Sequence, residues 1–295
     1  MPDATAKLDS LRRLLESYGS CLVAYSGGVD SVFLARMAHE VLGERALAVI
    51  ADSPSLARRE LAEALEVAAR FQIPVRVVRT AEFENPSYLA NPADRCFFCK
   101  QELFTVLAPL AREGGFAVLA YGENASDLAG DRPGGRAAAE FAVRAPLREV
   151  GLSKAEIRTL SAQLGLPTAD KPQMACLSSR LPTGETVTPA KLALVEQAEN
   201  FLRDLGFHDV RVRHHSLPGA LPGPAPTPGS PGPALARIEV GPSEMPALLA
   251  DDRAARIHTA LRALGYLHVT LDLRGYHRAE AASPAASPTP HPSTV

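Results

Sequence analysis

Six consecutive residues, Ser26-Gly27-Gly28-Val29-Asp30-Ser31, carry the clearest chemistry in the chain. They follow a short apolar run, CLVAY at 21–25, and precede a segment from Val32 to Leu42 that reads as a helix, so the glycines fall at a strand-to-helix turn. Glycine lets the backbone approach a ligand with no Cβ in the way. A helix start offers free N–H groups and the positive end of the peptide dipole to an anion. Ser26 and Ser31 add hydroxyl donors. Asp30 beside a polyphosphate would repel it unless a cation intervened, which gives Asp30 the part of a Mg²⁺ ligand rather than a phosphate ligand. No lysine follows at the Walker spacing and no Gly-x-Gly-x-x-Gly occurs, so γ-phosphoryl transfer and dinucleotide binding are both disfavoured. At average residue frequencies a chance match to the fixed letters is on the order of 10⁻⁴ in a chain of this length, which makes a plain glycine turn the weaker reading.

Sulfur is the second signal. Arg95-Cys96-Phe97-Phe98-Cys99-Lys100 sets two thiols three residues apart at the start of an expected helix, where they could share a metal. Cys176 stands in Met174-Ala175-Cys176-Leu177-Ser178-Ser179-Arg180, after a proline-marked break, and Cys21 reads as a small buried residue opening the first strand. By itself the C-x-x-C is open to three readings: a core pair, half of a zinc site, or a redox dithiol.

The elements that must position these residues follow from periodicity. The apolar runs CLVAY, ALAVIA at 46–51, VRVV at 75–78 and FAVLAY at 116–121 read as parallel strands separated by helices, giving an α/β doubly wound parallel sheet. A helix beginning near Ser55 carries Leu61, Leu65 and Ala68 on one face. Ser153-Lys154-Ala155-Glu156 is a capping-box pattern for a helix running to Leu164-Gly165. The first domain is expected over 1–170 and a smaller α+β domain over 171–278. The second reads as helix Pro189–Leu205, strands Asp209–His214 and Leu235–Val240, helix Ser243–Leu264 and strand His268–Leu273, with an antiparallel sheet. The stretch 216–233 holds seven prolines and four glycines and is expected to be a disordered insertion, as is the tail 279–295.

Composition narrows the partners. Lys plus Arg (31) nearly cancels Asp plus Glu (33), which gives no field to gather nucleic acid and argues against it as a partner. No apolar run approaches the ~20 residues of a membrane span, so a soluble cytoplasmic protein is expected, with no membrane contact. Four unevenly placed cysteines do not make a disulfide scaffold and suit reduced thiols, a metal site or catalysis. A homo-oligomer is expected.

The loop letters in this setting resemble the signature of the PP-loop (N-type) ATP pyrophosphatases, whose members cleave ATP to AMP and pyrophosphate. The resemblance implies that Ser26, Gly27, Gly28, Val29, Asp30 and Ser31 hold the pyrophosphate. It implies that Asp52, at the end of the second strand, lies near the adenine, and that Gly122, Asn124 and Asp127 add polar contacts, in a segment continuing to Asp131-Arg132-Pro133-Gly134. Taken together, SGGVDS, RCFFCK, GENASDLAGDRPG, CLSSR, VRVRHH, ARIEV and DLRGY look like the LarE family of ATP-dependent sulfur transferases, from about Leu8 to Tyr276 with the insertion excepted. That resemblance implies adenylation of pyridinium-3,5-biscarboxylic acid mononucleotide and conversion of its carboxylates to thiocarboxylates for the nickel-pincer nucleotide of lactate racemase. In single-cysteine members the cysteine of the CLxSR segment gives up its own sulfur, whereas members with the C-x-x-C are associated with a [4Fe-4S] cluster.

Here Cys96, Cys99 and Cys176 would be the cluster set, with Cys176 also the catalytic candidate. Zinc or a bare thiol set are the alternatives. Three thiolates on a cubane leave one iron without a protein ligand, whereas structural zinc takes four ligands and no histidine lies between His39 and His208. Ser179, Arg180, Arg211 and Arg213 are the implied contacts to the substrate phosphate and carboxylates, since a guanidinium donates two bonds to one anion. A solvated strand face is the competing reading of Arg211 and Arg213. Glu239, Asp127 and Asp131 read as metal or substrate contacts or as surface ion pairs. A tRNA-thiolating PP-loop enzyme and an ammonia-using adenylating ligase are the rival enzymes, and a nucleotide-binding regulator without turnover is the rival from another class.

Overall fold

The computed structural model describes residues 3–127, 133–172, 175–217, 219 and 230–276. The chain divides into two compact units, Met1–Ala193 and Leu194–Val295. Residues 175–193, assigned from sequence to the second domain, belong to the first of these units.

The first unit contains α1 (Ala4–Tyr18), β1 (Cys21–Ala24), α2 (Val29–Leu42), β2 (Ala46–Asp52), α3 (Arg58–Arg70), β3 (Val75–Arg79), α4 (Pro86–Leu89), α5 (Arg95–Glu113), β4 (Val118–Tyr121), α6 (Pro133–Glu140), α7 (Pro146–Glu149) and α8 (Lys154–Gln163). Its four strands are all parallel, in the order β3-β2-β1-β4. The strands are short apolar runs because both sheet faces are covered. Cys21 and Val23 face a core built with Leu11 and Leu15 of α1, Phe33 and Met37 of α2, and Ile157 of α8. Leu22 and Ala24 face Phe104 and Leu107 of α5 and Ala137 of α6 on the other side. The strand order reverses between β1 and β4, and in open α/β sheets such a switch point opens a crevice at the carboxyl ends of the strands. The loop after β1 and the loop after β4 flank that crevice.

Local sequence fixes the start of α8. The Ser153 hydroxyl accepts from the Glu156 N–H at 3.3 Å while the Glu156 carboxylate accepts from the Ser153 N–H at 2.8 Å, the reciprocal capping pair expected from the letters. Lys7 of α1 then bonds Glu156 at 2.7 Å, tying α1 to α8.

The helix α9 (Pro189–Asp204) carries the chain into the second unit, which contains β5 (Val210–Ser216), β6 (Ala234–Val240), α10 (Met245–Leu249), α11 (Arg253–Leu264) and β7 (His268–Leu271). β5 and β6 pair antiparallel, as expected, but β7 lies parallel to β6, so the sheet is mixed. The reason is the helical crossover: α10 and α11 carry the chain back before β7 begins, and such a return places the next strand parallel. The single helix expected over Ser243–Leu264 is two helices, broken where Asp251 takes a left-handed φ of 53°. Val210, Val212, Ala236 and Ile238 pack on Ala198, Leu202, Ile257 and Leu261, leaving residues 211, 213, 237 and 239 on the other face. The ladder continues one bond past β5, from the Leu217 N–H to Pro233 O at 2.8 Å. The insertion expected over 216–233 falls largely on 218 and 220–229, which, like the tail 279–295, lie outside the described residues.

Candidate functional site

The glycine loop is shaped by contact on both sides. Gly27 has φ 72°, and a Cβ there would stand 2.6 Å from the Cβ of Ala64, so the loop lies directly on α3. A Cβ on Gly122 would come within 2.9 Å of the Ser31 N, which brings the end of β4 against the same loop. Gly28 caps α2 in extended conformation, and the Ser31 hydroxyl accepts from the Ser26 N–H at 3.1 Å while lying 3.0 Å from the Ser26 hydroxyl. The result is a turn whose N–H groups and hydroxyls surround the start of a helix, a ready seat for an anion.

Asp30 is the exception inside this donor-rich turn. Its Oδ2 accepts from Lys154 Nζ at 2.6 Å, whereas its Oδ1 is buried with no hydrogen-bond partner among the described residues. Burial raises the Asp30 carboxyl above the usual carboxylate range; Lys154 opposes the rise and the nearby Asp127 charge adds to it, while Asn124 lends a weak favourable interaction short of a normal hydrogen bond. An orphaned buried carboxylate oxygen beside a phosphate seat fits a Mg²⁺ ligand.

The segment after β4 is folded by its own side chains. Asn124 Oδ1 accepts from the Ser126 N–H at 2.8 Å and Asp127 Oδ2 from the Asn124 N–H at 3.0 Å. Ser126 Oγ accepts from the Lys154 N–H at 2.9 Å, so this loop fixes the start of α8 and delivers Lys154 to Asp30. Asp52 is held by Arg58 at 2.5 Å. Asp131 lies outside the described residues.

The three thiols come from two places in the first unit. Cys96 and Cys99 lie in the first turns of α5, Cys96 exposed and Cys99 half-buried; Cys176 is exposed and caps a single 3₁₀ turn, Leu177–Arg180. That turn is pinned from several sides: the Leu177 N–H donates to Ser55 O at 2.9 Å, the Tyr88 and Ser178 hydroxyls are 2.7 Å apart, and the Gly184 N–H donates to Asn91 O at 2.8 Å. Arg95 hydrogen-bonds Asn91, donates to Ser178 O at 3.0 Å and lies 3.8 Å from Cys176 Sγ. The thiols act on one another. Burial raises Cys99, with the charges of Cys176, Glu82 and Cys96 adding to it, and burial followed by the Cys176 charge raises Cys96. Among the described residues no three His, Cys, Asp or Glu side chains are arranged to share one metal ion.

Arg180 is 1% exposed and turns its guanidinium inward, donating to Ala175 O at 2.6 Å, Cys176 O at 3.0 Å and Ser179 Oγ at 3.1 Å. It shapes the Cys176 turn. Ser179 Oγ also donates to Cys176 O at 2.8 Å.

In the second unit, Arg211 and Arg213 share the polar face of the sheet with Glu239 and Arg237. Arg211 donates to Val210 O at 2.8 Å and stacks 4.8 Å over the Tyr276 ring; Arg213 and Arg237 both pair with Glu239, at 3.0 and 3.1 Å. This is a charged cluster, not a row of solvated side chains.

Two lysines enter the site that the sequence did not single out. Lys154 appears in the sequence only as a letter inside the capping box, and nothing local signals its partner 124 residues away. Lys100 sits one residue past Cys99 with Nζ 4.7 Å over the Tyr121 ring. Burial lowers its ammonium below the usual range, while the charges of Glu123, Cys96, Asp127 and Cys99 hold it up.

Comparison with known proteins adds the family context. An NAD synthase family model matches residues 5–88. An uncharacterized protein of Synechocystis sp. is 42% identical over 271 residues, 92% of this chain and 95% of the relative. The pyridinium-3,5-bisthiocarboxylic acid mononucleotide synthase of Lactiplantibacillus plantarum is 30% identical over 277 residues, 94% of each chain. An uncharacterized protein of Methanocaldococcus jannaschii is 27% identical over 194 residues, 66% of this chain and 73% of the relative. Among the described residues no helix is long and apolar enough to cross a membrane.

Proposed function

Because this chain belongs to the LarE family of PP-loop ATP pyrophosphatases, we propose that it is an ATP-dependent sulfur transferase acting on pyridinium-3,5-biscarboxylic acid mononucleotide. It adenylates a carboxylate of that substrate, releases pyrophosphate, and replaces AMP with sulfur to leave a thiocarboxylate. The loop from Ser26 to Ser31 receives the leaving pyrophosphate on its N–H groups and hydroxyls. Asp30 offers its orphaned Oδ1 to Mg²⁺, and Lys154 adds a cation at the same place. The arginine cluster of Arg211 and Arg213 is the candidate seat for the substrate's anionic groups.

The observation that carries sulfur transfer is the gathering of Cys176 against the C-x-x-C helix through Arg95, within the same unit as the ATP loop. Neither an amidating ligase nor a nucleotide sensor requires it. Cys96, Cys99 and Cys176 would hold a [4Fe-4S] cluster. When bound, such a cluster supplies an iron without a protein ligand, able to carry a further sulfide.

The test is a balanced assay on anaerobically purified protein with ATP, Mg²⁺, sulfide and the biscarboxylic mononucleotide. Pyrophosphate and thiocarboxylate are expected in equal amounts, over more than one turnover, with Cys176 intact by mass spectrometry. Pyrophosphate without thiocarboxylate would refute sulfur transfer. A single turnover with Cys176 lighter by one hydrogen sulfide would assign the sulfur to the cysteine itself.

A further inference from the structure

The connection between α4 and α5 contains one residue set apart by its conformation and its bonding. Asn91 is 1% exposed and takes a left-handed φ of 53°, strained for most L-residues and tolerated by asparagine. Each of its four polar groups is used. The main-chain N–H donates to Tyr88 O at 3.1 Å, just past the end of α4, and the main-chain carbonyl accepts from the Gly184 N–H at 2.8 Å. The side-chain Nδ2 donates to Pro182 O at 2.7 Å, and the side-chain Oδ1 accepts from the guanidinium of Arg95 in the first turn of α5.

Arg95 completes the link to sulfur. The same Nη1 that meets Asn91 donates to Ser178 O at 3.0 Å, and Nη2 lies 3.8 Å from Cys176 Sγ. Arg95 also immediately precedes Cys96 in the chain. The contacts follow an antiparallel order: Val187 N–H to Leu89 O at 2.8 Å, Gly184 N–H to Asn91 O, and Ser178 O to Arg95. Carried one step further, that order brings Cys176 to the first turns of α5, where Cys96 and Cys99 lie. Asn91 and Ser178 are both buried, and a buried polar network with its bonds made holds one arrangement in place of many.

We propose that Asn91 and Arg95 are positioning residues for sulfur transfer, a clasp that zips the segment 178–187 onto the α4–α5 connection and so holds the Cys176 sulfur beside Cys96. The purpose of the clasp rests on the sulfur-transferase reading, whereas the placement of the thiols is measurable without it. Asn91 isolates position from chemistry, because its side-chain bonds go to a guanidinium and a carbonyl and not to a thiol. Glycine in its place keeps the left-handed turn and loses the amide. Aspartate keeps the acceptor for Arg95 and loses the donor to Pro182.

The test places Asn91→Gly, Asn91→Asp and Arg95→Met in the full-length protein and reads thiol placement with dibromobimane, which fluoresces once it has bridged two neighbouring thiols. In a Cys99→Ser background the exposed thiols are Cys96 and Cys176, since Cys21 is buried, and peptide mapping identifies the bridged pair. Cys99→Ser alone should give the Cys96–Cys176 bridge. Adding Asn91→Gly should slow bridging by on the order of 10-fold, Arg95→Met by as much, and both together by no more than either, because they act as a unit. Asn91→Asp should recover part of the rate. With the four cysteines intact, Asn91→Gly should lower kcat for thiocarboxylate by about 10–100-fold, leaving KM for the mononucleotide and pyrophosphate release at wild-type values. Undiminished bridging in Asn91→Gly and Arg95→Met would overturn the proposal. So would a loss of bridging matched by an equal loss of pyrophosphate release, the mark of a purely structural role. Arg95→Met decides if Asn91→Gly does not fold. A wild type that makes pyrophosphate but no thiocarboxylate would overturn the sulfur-transferase reading, and the bridging rates would still judge the clasp.

Discussion

Replacing Gly27 by Ala should damage both stability and catalysis through one contact. The new Cβ would stand 2.6 Å from the Cβ of Ala64, well inside the ordinary separation of about 3.5–4.0 Å between carbons. It would also sit at φ 72°, a left-handed conformation costing an L-residue roughly 1–2 kcal/mol. Overpacking of this kind adds about 1–3 kcal/mol, so a total near 3 kcal/mol is expected. The unit Met1–Ala193 is of a size in which each kcal/mol moves Tm by about 2–4 °C, so Tm should fall by about 6–12 °C. The same contact can be relieved from the other side. Ala64→Gly alone should destabilise by about 1 kcal/mol, because it puts glycine inside α3. Added to Gly27→Ala it should remove the overpacking but not the φ strain, so the double variant should lose less Tm than the two single losses together, a coupling of about 1–3 kcal/mol. Thermal melts of the four proteins measure the cycle. Pyrophosphate release in Gly27→Ala should drop on the order of 10²-fold, as the loop must shift by a sizeable fraction of an ångström. An unchanged Tm in Gly27→Ala, or simple additivity in the double variant, would refute the claim that the loop is seated on α3.

Asp30→Asn should abolish Mg²⁺-dependent pyrophosphate release while keeping the fold, since the amide preserves shape and loses the cation bridge; release at the normal rate would show the loop assignment to be wrong. Lys154→Met should cut pyrophosphate release by about 10²–10³-fold, the cost of one charged donor at a developing anion. Its effect on Tm should shrink in an Asp30→Asn background, and an equal effect in both backgrounds would mean that the two side chains do not act together. The bond from Lys7, with those from the Ser153 N–H and hydroxyl, holds the Glu156 carboxyl down from 4.5 to about 2. With the folded value depressed, the stabilisation is complete above about pH 4.5 and is lost as pH falls toward 2. Taken in full the shift would be roughly 3 kcal/mol, but both side chains are partly exposed, so about 1 kcal/mol is expected. Lys7→Met should therefore lower Tm at pH 6 and have little effect at pH 2.5.

Much of the first unit was legible because its signals are local. The short apolar strands, the glycine turn and the Ser153–Glu156 capping pair are each written within a few residues, and the sheet follows from their alternation with helices. The break at Asp251 was not legible, because it interrupts a helical pattern with no proline or glycine at the point itself. Nor was the direction of β7, which depends on how two short helices return the chain rather than on the letters of the strand. In the candidate site the anion loop and the three cysteines stand out as motifs, whereas Lys154, Arg95 and Asn91 do not. Their meaning comes from partners brought close by the fold: Asp30 for Lys154, Cys176 for Arg95 and Pro182 for Asn91. Arg180, which the resemblance sets toward substrate, also donates to the carbonyls of Ala175 and Cys176, a structural part that its letter alone does not reveal.

The way the Cys176 turn is fastened bears on the life of the protein after catalysis. Its anchors are the Leu177, Gly184 and Val187 N–H groups, the Tyr88–Ser178 pair and the inward guanidinium of Arg180, and none of these uses the Cys176 sulfur. A chain that had surrendered that atom would keep its shape.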